Sequence, residues 1–181
     1  MEFSLQTRLE NEILILEPLS KEDFEAIYAV ACEKEIWAQH PNPDRYKRAV
    51  FENFFQGAMQ SGGAFKIIDK KSGKIAGSTR FYDYNAEDKS ILIGYTFYGT
   101  QFWGTGINHS AKKLMMAYIF QFVDKVIFHI GATNLRSQIS IERLDAQKIG
   151  EEEVVYFGET SKLNFVYQIT KKIFLNHLNP I

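Results

Sequence analysis

Ile91-Leu92-Ile93-Gly94-Tyr95-Thr96-Phe97-Tyr98 runs directly into Gly99-Thr100-Gln101-Phe102-Trp103-Gly104-Thr105-Gly106-Ile107-Asn108. The first part is apolar, β-branched and aromatic, the composition of a buried strand. The second part is a glycine-bearing turn, and a helical stripe starts at once. Ala111, Leu114, Met115, Tyr118, Ile119 and Phe122 recur at three- and four-residue steps. Strand, glycine turn and helix together make an anion cradle. The first N–H groups of a helix point outward, and its dipole adds partial positive charge. Glycine lets the backbone approach a phosphate with no Cβ in the way. A phosphate-bearing ligand is therefore expected against Trp103 to Asn108.

The rest of the composition narrows the class. The 181 residues suit one domain covering residues 1–181, long enough to bury a sizeable core. The formal net charge is −1, so no overall basic field draws the chain to nucleic acid. Cys32 is the single cysteine, which excludes an intrachain disulfide and a multi-cysteine metal site; it reads as a buried small apolar residue. The four histidines show no metal-ligand spacing, and no metal is expected. There is no signal-like N-terminal segment and no apolar run of membrane-spanning length. A cytoplasmic protein without membrane association is the resulting expectation.

Outward from the central stretch, the pattern alternates helices and strands. Ile13 to Leu16 reads as a strand closed by Pro18, and Ser20 with Asp23 resembles a capping box. Phe24, Ile27, Tyr28 and Ala31 share one helical face. Trp37 to Pro43 reads as a loop, and a second helix is predicted from about Asp44 through Met59. Ala64 to Ile68 and Lys74 to Tyr84 flank a hairpin turn at Asp69 to Gly73, and the strand at Ser90 to Tyr98 follows. The long helix after Gly106 is predicted to reach Phe122. Beyond it lie a strand at Lys125 to Ile130, a short helix at Ser137 to Leu144, and strands at Gln147 to Tyr156 and Leu163 to Phe174. The order β-α-α-β-β-β-α-β-α-β-β predicts an α/β (α+β) fold with a mixed, largely antiparallel sheet flanked by helices.

With these residues in place, the chain resembles the GNAT acetyltransferase superfamily over nearly its whole length. The resemblance is closest to the branch of ribosomal-protein N-terminal (Rim-type) acetyltransferases. Ile93-Gly94-Tyr95, Trp103-Gly104-Thr105-Gly106, Asn134-Leu135-Arg136-Ser137 and Glu142-Arg143-Leu144 carry it, in order and at matching separations. It implies a V-shaped splay between the fourth and fifth strands of the family. It also implies acetyl-CoA as co-substrate, held by Thr96, Phe97, Trp103, Gly104, Thr105, Gly106, Ile107, Asn108, Asn134 and Ser137. Two registers fit the turn. One runs from Gln101 to Gly106; the other, from Trp103 to Asn108, matches the branch better and makes Asn108 an N-cap. A Rossmann turn is disfavoured, because His109 stands where the third glycine of G-x-G-x-x-G belongs. Met115, Met116 and Tyr118 read as core.

The implied reaction moves an acetyl group from a thioester to a primary amine, either a protein N-terminus or a small molecule. Three residues are catalytic candidates: Tyr95 near the thioester carbonyl, where Gly94 could assist a bulge; Asn134 on the pantetheine arm; and Ser137 as acid to the leaving sulfur. Asn134 also reads as a helix N-cap and Ser137 as a plain helix-start serine. Ile141 stands where many relatives carry Tyr, and Asp145 where they carry Gly; Asp can take a left-handed conformation.

Leu92 stands where relatives often carry Glu, which leaves the general base open. Asp83, Tyr82, Glu35, His40 and a water relay all remain in play. Along Ser78 to Tyr84, Thr79, Phe81 and Asp83 share one face and Ser78, Arg80 and Tyr82 the other. Trp37, Tyr82, Tyr84 and Tyr95 would suit a partly apolar acceptor pocket. His109 reads as an exposed helix-start residue. A homodimer could form, though nothing in the sequence specifies an interface. The alternative reading is a non-catalytic acyl-CoA-binding regulatory domain of the same fold.

Overall fold

Leu14 and Leu16, Phe65 and Ile67, and Ile91 and Ile93 are buried on either side of the less buried Ile15, Lys66 and Leu92, and with Phe81 they share one core. Period-two alternation puts such residues on one face of a sheet. The computed structural model describes residues 3–178. Its strands are β1 (Leu9–Glu10), β2 (Leu14–Pro18), β3 (Ala64–Asp69), β4 (Ile75–Asn85), β5 (Ser90–Tyr98), β6 (Lys125–Gly131), β7 (Gln147–Val155) and β8 (Ser161–Thr170). Its helices are α1 (Phe24–Ala31), α2 (Lys34–Trp37), α3 (Arg48–Ser61), α4 (Ile107–Ile119), α5 (Leu135–Glu142) and α6 (Lys171–Leu178). The eight strands form a single sheet in the order β1-β2-β3-β4-β5-β6-β8-β7.

Two apolar layers follow from the helical stripes. Ala111, Met115, Met116, Tyr118 and Ile119 of α4 pack with the sheet residues above. A separate, mainly aromatic cluster joins Ile27 and Ala31 of α1 to Phe51, Phe54 and Phe55 of α3, with Trp37 and Phe97. Burial of these side chains is the main stabilising contribution, about 1.5–3 kcal/mol for each large one.

Every neighbouring strand pair is antiparallel except β5 with β6. That parallel pair is short: Ser90, Ile91 and Leu92 face Lys125, Val126 and Ile127, and the pairing stops there. β6 stays joined to β8 from Lys125 through Gly131, so from Ile93 onward β5 diverges and a wedge opens. This is the V-shaped splay. Because the two-residue β1 counts as a strand, it falls between β5 and β6 here. On the other side of β5, Ser78 faces Phe97 but Arg80 faces Gly94, so Tyr95 and Thr96 together oppose Thr79. That is a β-bulge, and Tyr95 takes a left-handed conformation with φ 51°.

Several expected details change. Trp37 is not in a loop; it ends α2 and is fully buried, its indole N–H donating to Ala31 O at 2.7 Å. The second long helix starts at Arg48, later than expected, after a turn that Asp44 and Lys47 close. α4 ends at Ile119, short of Phe122. The last predicted strand stops at Thr170, where α6 begins. Cys32 is exposed, because it lies just past the end of α1 on the outer side. Asp145 does take the left-handed conformation, with φ 63°. Among the described residues, no helix is long and apolar enough to cross a membrane.

Candidate active site

The wedge between β5 and β6 opens into a cleft of about 690 Å³. Its walls come from β5, the turn before α4, the start of α5, and the segment from Ile36 to Arg45. Tyr95, Thr96 and Phe97 line it from the bulged strand. Trp103, Gly104, Gly106 and Asn108 line it from the turn, and Asn134 and Ser137 from α5. Of the expected ligand residues, Thr105 and Ile107 do not line it. The Thr105 hydroxyl donates to Phe102 O at 2.7 Å, and Ile107 is buried in the core. Only their backbone could serve a ligand.

The turn has the geometry of an anion cradle. Gly104 (φ 72°) and Gly106 (φ 84°) both lie in the left-handed region, and a Cβ built on either would meet no atom within 4 Å. The backbone there is open from outside. Gly106, not Asn108, is the N-cap of α4, and Ser110 makes the first N–H bond back into the helix, to Gly106 O. Glycine wins the cap because only it takes this φ without strain. Asn108 instead sits in the first helical turn, and its Nδ2 donates to Ser140 Oγ on α5 at 2.8 Å. Two atoms of cleft-lining residues, Asn108 Oδ1 and Tyr98 Oη, are buried without a hydrogen-bond partner. Buried polar atoms are seldom left so.

At the far lip, Asn134 caps α5, its Oδ1 accepting from Ser137 N–H at 3.2 Å. The cap fixes Asn134 and Ser137 side by side. The guanidinium of the intervening Arg136 stacks on the Trp103 ring, its carbon 4.1 Å from the centroid, and so joins the two lips. Ile141 lines the cleft and is buried, so no tyrosine acid stands there.

The other end of the cleft is aromatic and cationic. Tyr82, Tyr95 and Tyr156 meet edge to face. Arg45 makes a bidentate pair with Glu159, both contacts at 2.9 Å, with side chains only 3% and 9% exposed. That pair ties the β7–β8 connection to the Arg45 side of the cleft. Burial raises the Tyr82 phenol well above its ordinary pKa, so it stays protonated. Gly94 lies beside the bulge, not in it; its missing Cβ leaves room for the Tyr82 ring, whose Oη would otherwise be 3.0 Å away. Trp37 and Tyr84 do not line the cleft: Trp37 is in the aromatic core, and the Tyr84 ring packs at a tilt against Phe3. Of the four candidate bases, Tyr82 and His40 line the cleft, whereas Asp83 and Glu35 are exposed away from it. Burial, then the charges of Arg45 and Arg136, hold the His40 imidazole well below its ordinary pKa.

His129 and Lys112 are among the cleft residues that escaped the sequence reading. His129 on β6 places Nε2 3.4 Å from Glu152 Oε2. Its signal was its position: the only titratable side chain between Val126 and Gly131 on the strand that forms one arm of the wedge. Lys112 on α4 lies on the buried face of a helix, where sequence favours apolar residues. A lysine in register with Met115, Met116 and Ile119 was its signal.

Residues 14–147 match the family model for the acetyltransferase (GNAT) domain, and the chain belongs to that family. Its fold is similar to a GCN5-related N-acetyltransferase from Brucella melitensis, at TM-score 0.79 and 17% identity over 96% of this chain and 84% of that one. It is similar to a Vibrio cholerae protein described as a ribosomal-protein-serine acetyltransferase, at TM-score 0.70 and 13% identity over 93% and 99% of the two chains. The spermidine N-acetyltransferase of Vibrio cholerae, in complex with CoA and spermine, superposes at TM-score 0.69 and 15% identity over 92% and 100%. At these identities the likeness is one of fold. The bulged strand beside a glycine-capped helix is thus set in the architecture of a GNAT acetyltransferase.

Proposed function

We propose that this protein transfers the acetyl group of acetyl-CoA directly to a primary amine, with both substrates held in the wedge between β5 and β6. The observation that carries the reading is the open backbone at Gly104 and Gly106, set at the start of α4 and at the mouth of that wedge. Backbone N–H groups from Trp103 to Asn108 would hold the pyrophosphate, with the helix dipole adding to the attraction. Beyond Leu92, β5 has no partner on its β6 side. Backbone groups from Ile93 to Phe97 would therefore pair with the pantetheine amides as they would with another strand. A β5 N–H near Tyr95 to Phe97 would meet the thioester carbonyl and stabilise negative charge as it develops. Asn134 would bind the pantetheine arm, and Ser137 would donate to the departing sulfur.

His129 is the proton acceptor we favour for the amine. Burial lowers its pKa, so the imidazole is neutral near pH 7, and Glu152 orients it and partly offsets that shift. The cleft also says something of the acceptor. Among the described residues, no Asp or Glu lines it, while Arg45, Lys112, Arg136 and Arg143 do. Arg45 is paired with Glu159 and burial lowers the Lys112 pKa, but Arg136 and Arg143 belong to no ion pair among the described residues, so a polycation would meet their charge and a protein N-terminus or a small amine of low charge fits better than a polyamine.

Isothermal titration with acetyl-CoA, with desulfo-CoA as a thiol-free control, tests the first half of the reading. Saturable one-site binding is expected, followed by free-thiol release in a panel of peptide N-termini and small amines. Absence of binding in folded protein would overturn it, and binding without turnover across the panel would leave only the regulatory alternative.

A further inference from the structure

Lys112 is 4% exposed, yet its side chain reaches the cleft wall. Its Nζ lies 2.6 Å from Thr96 Oγ1 and 3.1 Å from Thr79 Oγ1, and those two hydroxyls are 2.8 Å apart. It takes part in none of the ion pairs formed among the described residues. A buried ammonium held only by neutral hydroxyls is costly, and the group sheds its proton instead. Burial alone brings its pKa down to about 7. An uncharged lysine amine is a nucleophile toward carbonyl carbon.

The place of this amine matters as much as its charge. Thr96 is one of the two residues of the β5 bulge, on the stretch of strand that would bind the thioester. The Lys112 amine is hydrogen-bonded to that residue's side chain, inside the same cleft. Neither the cradle nor the proton acceptor uses Lys112.

We propose that Lys112 is an internal acetyl acceptor, modified on Nζ by acetyl-CoA bound in the protein's own cleft when no amine acceptor is present. The inference rests on the acetyl-CoA reading above. The Nζ lone pair forms the new N–C bond at the thioester carbonyl carbon, and the C–S bond breaks with its electrons going to sulfur. One amine proton ends on that sulfur, so acetyl-CoA and lysine give acetyl-lysine and CoA thiol with no other reactant. The product cannot be protonated and is bulkier, and the added acetyl group would take up space beside Thr96. Self-acetylation would thus damp the protein when acetyl-CoA accumulates without acceptor.

The test incubates the full-length protein with isotopically labelled acetyl-CoA alone, follows intact mass, and maps the label by peptide. The exposed Lys89 serves as internal reference for non-enzymatic acetylation. Lys112 is expected to gain one acetyl group about tenfold or more faster than Lys89, because the cleft holds amine and thioester together. Excess desulfo-CoA should suppress the label at Lys112 and leave Lys89 unaffected. Titration of the same preparation with acetyl-CoA separates the two claims. Binding with Lys112 unlabelled, or labelled no faster than Lys89, or labelled equally under desulfo-CoA, overturns the proposal and leaves the acetyl-CoA reading standing. Absence of binding overturns both. Lys112→Arg, if it folds and binds acetyl-CoA, should show no label at that position.

Discussion

The Arg80 guanidinium carbon lies 3.7 Å from the centroid of the Tyr95 ring, so the residue at the crest of the β5 bulge is stacked against a buried cation. The Arg80 guanidinium donates to Phe54 O at 3.3 Å and belongs to no ion pair among the described residues. Burial accordingly lowers its pKa to about 10. Tyr95 in turn holds a left-handed φ of 51°, which a bulky residue keeps only when its surroundings enforce it.

Arg80→Met should therefore separate stability from activity. Replacing a poorly compensated buried cation with an apolar side chain is expected to be neutral or stabilising by about 1–2 kcal/mol. Tyr95 would lose its stacking partner, and a bulge free to relax would misplace the strand backbone. A fall in kcat/KM of about tenfold or more is expected, since small errors in position are expensive. Denaturant midpoints and steady-state kinetics with any active amine check both parts. A large loss of stability with unchanged kinetics would refute the positioning role.

Gly106→Glu tests the cradle. The substitution puts a carboxylate and a Cβ where the backbone is open and φ is 84°. Forcing a non-glycine residue into that conformation costs about 1–2 kcal/mol, which a domain of this size can absorb. The variant is expected to melt cooperatively and to show no heat of binding with acetyl-CoA. Normal affinity in folded protein would remove the turn from the site.

His129→Gln should reduce kcat by about a hundredfold or more, in the range lost with a general base. Affinity for acetyl-CoA should stay near the wild-type value. In the wild type, the rate should fall as acid protonates the imidazole, at a pH below the ordinary histidine value of 6.5 because burial lowers it. Glu152→Gln removes the charge that raises this pKa, so the acid limb should move to still lower pH. A pH profile insensitive to Glu152→Gln would argue against the pair.

Lys112 also makes a stability prediction that needs no ligand. Its pKa is about 7 in the folded protein against 10.5 for an ordinary lysine. Between these values the unfolded chain holds a proton that the folded chain does not. Raising the pH through that window therefore stabilises the native state, by up to about 1.4 kcal/mol per pH unit. Lys112→Met should be more stable than wild type at neutral pH, with the advantage shrinking as pH rises toward 10. Chemical denaturation across that range would show it, and parallel curves for the two proteins would mean the amine is not buried uncharged.

The features readable from the sequence were the local ones. The apolar run Ile91 to Tyr98, the glycines after it and the stripe on the following helix are each written within a few residues, so strand, glycine turn and helix were legible. So was the Asn134 cap, because its oxygen answers an N–H only three residues away. The N-cap at Gly106 instead of Asn108 was a narrower miss, decided by which residue tolerates φ 84°.

What only the tertiary structure decided is where distant segments meet. Leu92 at the expected base position carries no information about His129, thirty-odd positions on, because β5 and β6 are neighbours only through a parallel crossover. Lys112 faces Thr79 and Thr96 because α4 packs across the sheet, a relation no periodicity encodes. Trp37 looked like a pocket residue by type and became core by packing. Local backbone chemistry is set by neighbours in the chain, so sequence determined the glycine turn and the strand beside it. Charge state and proximity in the cleft depend on burial and long-range contacts, which exist only once the sheet has assembled.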